Sequence, residues 1–211
     1  MSSATAANLT TSAEFAVLRA LTLQVRVATA DQVARGWFAA ADDPLLAAQA
    51  CLAGLEKQQL TTKRLLEAHP MLPLSTPLFS WKPGQPQPTC AELENLAAKL
   101  QARWSEPNVA VEVYLAAPRA SRLFGAFVDA RHLKHCEVTH DLHLTEAFLG
   151  YCASDPRCHQ WWWGEAAFPK IGQLIRFAKD PDAFLLDSRG GARRVVEFAG
   201  TYDAHHLHRF H

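Results

Sequence analysis

The sequence predicts an α+β fold, with three helices and a β-hairpin over residues 1–88 and a small α/β unit over residues 89–211. Apolar residues recur at helical spacing in three successive segments before residue 60. Two short β-prone runs flank the proline-rich stretch Pro70–Pro77. Near the C-terminus two apolar runs, each beside one carboxylate, flank the turn Ser188-Arg189-Gly190-Gly191.

Residues 1–11 form a small, polar lead-in. Phe15, Leu18, Leu21 and Val25 then fall on one helical stripe. Thr29 is placed to cap a second helix, Asp31–Phe38. Asp43 and Pro44 suit the N-cap and first turn of a third, whose inner face is Leu45, Ala48, Leu52 and Leu55. Leu60–Leu66 and Leu78–Gly84 read as the two strands of a hairpin. Three helices followed by a hairpin is the winged-helix layout: the second and third helices form the helix-turn-helix and the hairpin the wing.

Pro83–Pro88 is a stiff linker. Thr89 caps an amphipathic helix reaching Trp104, with Leu93, Leu96, Ala97 and Leu100 on one face. Val109–Leu115 alternates like a strand, His140–Tyr151 is helical, and Trp161–Glu165 is a short strand. Phe168–Ala178 fits neither period. Strands at Ala183–Leu186 and Arg193–Glu197 follow, and a helix starts after Tyr202-Asp203.

The chain has 211 residues, 49% hydrophobic and 20% charged, with a formal net charge of +0. Any contact with nucleic acid must therefore use a local cationic patch. No apolar run reaches the length of a membrane span and the start lacks the pattern of a secretion signal, so no membrane partner and a cytoplasmic location are expected. The five cysteines, Cys51, Cys90, Cys136, Cys152 and Cys158, form no CxxC pair. Cys152, Cys158 and His159 could supply soft metal ligands, but no fourth is apparent and packed thiols are commoner.

Asp182 and Glu197, on neighbouring strands, could hold Mg²⁺ by oxygen, with Glu146 as a third ligand. This outlines the nuclease pattern PD…(D/E)xK, but the lysine position is Ala199. Lys170 or Lys179 could serve instead. The plainer reading makes Pro181-Asp182 a turn and pairs Glu197 with Arg193 or Arg194. On the third helix the outward face is Leu46, Ala50, Ala53, Gly54 and Lys57, poor in base-reading side chains. The candidate DNA-binding residues are Gln49, Lys57, Lys63, Arg64 and Lys82, with the cations suited to phosphates. His140 and His143 share a helical face that Asp141 is poorly placed to orient, and packing is their commoner role. His205, His208 and His211 form a terminal stripe, and of Trp161-Trp162-Trp163 at least one should be core.

The order of these features resembles the replication-relaxation family of plasmids and other mobile elements. The resemblance is carried by Leu52-x-x-Leu55-x-x-x-x-Leu60, Arg122-Leu123-Phe124-Gly125, His140-Asp141-Leu142-His143-Leu144, and Pro181-Asp182-Ala183 with Glu197-Phe198-x-Gly200. It implies a winged-helix protein that binds double-stranded DNA, with a C-terminal domain similar to the PD-(D/E)XK nuclease core. Without the lysine, and with little chain after the final helix begins, that domain is expected to be minimal and catalytically degenerate, with no cofactor unless Mg²⁺ serves a surviving nuclease. The expected function is a DNA-binding regulatory, replication or maintenance role on a mobile element. The alternatives are a Mg²⁺-dependent endonuclease and a winged-helix dimerisation module. A homodimer is expected from the apolar third-helix face and from an open edge of the C-terminal sheet.

Overall fold

The computed structural model describes residues 13–72, 78–79, 84–126, 135–167, 181–186 and 192–210. In chain order the elements are α1 (Ala13–Leu23), α2 (Ala30–Trp37), α3 (Pro44–Lys57), β1 (Thr61–Ala68), α4 (Cys90–Ala102), β2 (Val109–Ala116) and α5 (Pro118–Phe124). They continue as α6 (His135–Ser154), α7 (Cys158–Trp161), β3 (Trp162–Gly164), β4 (Ala183–Leu186), β5 (Ala192–Val196) and α8 (Ala204–Phe210). The fold is α+β, as the sequence predicts.

Local chemistry sets the helix starts. Thr29 Oγ1 accepts from Gln32 N at 3.1 Å while Gln32 Oε1 accepts from Thr29 N at 3.0 Å, a reciprocal cap on α2. Asp43 Oδ1 accepts from Leu46 N at 3.0 Å and Pro44 opens α3. Thr89 and Glu92 cap α4 in the same reciprocal way as α2. After α3, Gln59 takes a left-handed backbone (φ 58°) that turns the chain sharply into β1.

The described partner of β1 comes from beyond residue 88. β1 pairs antiparallel with β2, from Thr61↔Ala116 to Ala68↔Val109, while residues 80–83 of the expected second hairpin strand lie outside the described residues. β2 offers eight consecutive residues with an alternating β-branched pattern. Tyr114 N–H also donates to Ala28 O at 2.8 Å, and Ala28 N–H to Tyr114 O at 3.1 Å. The extended residue after α1 thus lies on the far side of β2, in the order Ala28, β2, β1.

Both sheet and core cross residue 88. One apolar cluster joins α1, α2 and α3 (Leu18, Leu21, Val33, Leu52 and Leu55) to Tyr114, Phe148, Trp162 and Leu185 from the second half. A second packs Val138 and Leu142 of α6 against Val113, Leu115 and Ala68. β2, α6, β3 and β4 therefore complete the core built by α1, α2 and α3.

The end of α1 is clamped by the second half. Gln24 O accepts from Trp162 Nε1 at 2.9 Å, and the Gln24 amide donates to His159 O at 2.5 Å. Gly164 lies so close that an added Cβ would sit 2.4 Å from Gln24 O. A separate cluster packs Leu93, Ala97 and Leu100 of α4 against Leu207 of α8. The second sheet runs β3-β4-β5, antiparallel throughout. Among the described residues no helix is long and apolar enough to cross a membrane.

Candidate functional site

Two surfaces gather the residues singled out by the sequence. The first is α3. Its exposed face carries Leu46, Ala50, Ala53 and Lys57, as expected, with Gln49 exposed beside them, while Gly54 is half-buried and faces Glu14. The buried face is Ala48, Cys51, Leu52 and Leu55. Leu45, expected inside, is instead 45% exposed beside Leu46 at 62%. It lies in the first turn, which projects beyond the core.

Lys63 and Arg64 do not share a face of β1. Successive strand residues point to opposite faces. Lys63 shares its face with Tyr114 and Glu112, whereas Arg64 is half-buried on the side that Leu66, Ala68 and Val113 present to α6. Lys63 Nζ lies 2.9 Å from Glu112 Oε2, and Tyr114 Oη donates to Glu112 Oε1 at 3.0 Å. These two bonds hold the Glu112 carboxyl below its ordinary range. The missed cation is Arg119, exposed on α5, which donates to Gln58 O at 3.1 Å at the C-terminal end of α3. Lys82 lies outside the described residues.

The second surface surrounds the predicted carboxylate pair. The ladder partner Ala183↔Val196 places Asp182 and Glu197 at the same end of β4 and β5. Asp182 Oδ2 accepts from Phe198 N at 2.7 Å and lies 3.0 Å from His140 Nε2. The other nitrogen, His140 Nδ1, is 2.9 Å from Asp141 Oδ1. Asp141 is 1% exposed, and its second oxygen lies 3.5 Å from Arg26, which also meets Glu137 at 3.2 Å and Glu165 at 3.8 Å. Glu197 Oε1 accepts from Tyr202 Oη at 2.6 Å.

His140 is therefore the positive charge between two aspartates. Burial alone would push its imidazolium down, but hydrogen bonds to Asp141 and Asp182 outweigh this and hold it up to about 10. The expectation that Asp141 is poorly placed to orient the histidines is overturned for His140. Adjacent helical residues diverge by about 100°, yet both side chains reach toward the same buried end of β4. His143 is different. It is fully buried, its Nδ1 donates to Thr139 O at 2.6 Å and its Nε2 accepts from Leu72 N at 2.9 Å. With both nitrogens used and burial pushing the imidazolium down, it is a neutral packing residue, stacked on Phe198 at 5.2 Å.

Glu146 is not part of this cluster. It accepts from Gln32 Nε2 at 2.9 Å and Arg35 NH1 at 3.1 Å, facing α2. Five residues along a helix from Asp141 is about 140° round its axis, which turns Glu146 to another side. Ala199, at the lysine position, is half-buried against the α4–α8 cluster. Arg194 lies over the Tyr151 ring at 5.8 Å. Lys170 and Lys179 lie outside the described residues.

Of the remaining candidates, Trp162 is the core tryptophan, fully buried, while Arg157 lies 4.9 Å over Trp161. Cys152 and Cys158 are buried, and burial pushes the Cys152 thiol up to about 12. His206 pairs with Asp203 at 2.8 Å, and His211 lies outside the described residues. Among the described residues no three histidine, cysteine, aspartate or glutamate side chains converge as a metal-holding group. Neither a family model, nor a curated protein, nor a solved structure matches the chain.

Proposed function

We propose that the chain is a winged-helix protein that binds duplex DNA through the exposed face of α3, in a regulatory or maintenance role on a mobile element. The observation carrying this reading is the order of α1, α2, α3 and β1 with β2, Ala28 bridged beyond β2, and one face of the fourteen-residue α3 left open. Ala50 and Ala53 let the helix backbone approach a groove closely, and Gln49 stands among them as a base-reading amide. Lys57 and Arg119 at the C-terminal end of α3 suit flanking phosphates. Lys63, paired with Glu112, contributes less.

Fluorescence anisotropy on a random-sequence duplex across a salt series tests this. Binding should weaken steeply with salt, and Lys57→Ala and Arg119→Ala should each reduce the salt slope by about 1. Binding that ignores salt, or slopes unchanged in both variants, sinks the proposal.

In this reading the carboxylate cluster is structural. His140 occupies the charge-neutralising place beside Asp182, and Ala199 brings no cation to a phosphate. Incubating plasmid DNA with Mg²⁺ should yield no cleavage dependent on Asp182 or Glu197. A second reading, a protein-interaction module, is favoured by one observation: Leu45 and Leu46 are exposed in the first turn of α3, where a DNA-reading helix usually presents polar side chains. Leu46→Glu separates the two. It should abolish partner capture in the second reading and weaken DNA binding only modestly in the first.

A further inference from the structure

The outer edge of β1 carries a pattern that fits one partner, its own copy. In an antiparallel ladder alternate residues turn both backbone groups toward the neighbouring strand. Tyr114 directs its N–H and C=O to Ala28, so the pair Lys63↔Tyr114 exchanges no hydrogen bonds. Ala117 N–H donates to Leu60 O at 2.9 Å, which sets the even-numbered residues of β1 toward β2. The N–H and C=O groups of Lys63, Leu65 and Glu67 therefore point away from β2. No strand pairs with that edge among the described residues. The same three residues carry the exposed side chains of β1, with Leu65 71% exposed between a cation and an anion.

We propose that two copies of the chain pair through β1, antiparallel about a two-fold axis, with Leu65 opposite the partner's Leu65. The register follows from parity and charge. Only odd-numbered residues have backbone groups free to exchange, so odd must meet odd. Moving the axis two residues along the strand sets Lys63 against the partner's Lys63, or Glu67 against the partner's Glu67. Moving it by one sets Leu65 against a charged residue. Centring on Leu65 sets Lys63 against the partner's Glu67 and Glu67 against the partner's Lys63, with the two leucines between. A lone edge lysine ordinarily repels other strands. Here Glu67, four residues on, turns that guard into a selector for the same strand reversed. Odd-to-odd pairing also keeps both α3 helices on one side of the joined sheet. This interface differs from the α3 face and C-terminal edge that the sequence pointed to, and it stands whether or not the chain binds DNA.

Light scattering at micromolar concentration tests the proposal. The parent should show twice the 23.3 kDa chain mass. Lys63→Glu alone and Glu67→Lys alone should each weaken association by about tenfold or more, since two attractive pairs become repulsive. Mixed in equal amounts, the two variants should regain the dimer mass, because two glutamates on one strand then face two lysines on the other. Independently, Leu65→Cys should give a covalent dimer on mild oxidation, and Leu66→Cys should not. A parent of single-chain mass, a mixture no heavier than its components, or a Leu66→Cys dimer as abundant as that of Leu65→Cys overturns the assignment.

Discussion

His140 shows how one side chain can join distant parts of a chain. Its folded imidazolium is held up to about 10, against the ordinary 6.5 of histidine. A raised value means that the native state binds the proton more tightly than the unfolded chain. The stabilisation is complete below about pH 6.5 and declines as pH rises toward 10. The urea midpoint should therefore fall between pH 6 and pH 9.5 by more in the parent than in His140→Gln; equal falls would show that His140 is not the cation. Gly164 offers a second residue-scale test. A methyl there meets Gln24 O at 2.4 Å, backbone that cannot swing aside. Gly164→Ala should cost about 1–3 kcal/mol of stability by chemical denaturation, and a neutral result would mean that the clamp yields. The adjacency of His140 and Asp141 was legible in the sequence. Arg26 was not, because nothing local links residue 26 to residue 141.

At the scale of elements, what was legible was what short-range chemistry decides. Thr29, Asp43 and Thr89 cap helices where the sequence places them, because a cap bonds to a backbone group only three residues away. The outward face of α3 was legible for the same reason, since helical period assigns its sides. The partner of β1 was not. Local pattern ranks a near strand above a far one, and β2 comes only after α4 in the chain. Engineered cysteines check the result. Glu67 lies directly opposite Ala110, so the pair Glu67→Cys and Ala110→Cys should form an intramolecular disulfide on oxidation. Failure to cross-link while the fold is retained would refute the register. Asp182 and Glu197 were correctly placed at one end of two strands, but their neighbours, His140 and Tyr202, depend on how α6 and α8 pack.

For the molecule as a whole, the shared core predicts one cooperative unit. Thermal unfolding followed by circular dichroism should give a single transition, and residues 1–88 alone should give none, having lost β2, α6 and Trp162 from the core. A cooperative transition in the fragment would restore an independent N-terminal domain. The clamp on Gln24 carries a further consequence, for descent rather than stability. A helix whose last turn is bonded to Trp162 and closed by Gly164 cannot be exchanged by recombination as a self-contained cassette. Lineages of this chain would diversify by point changes on open surfaces such as the face of α3, with both halves inherited together.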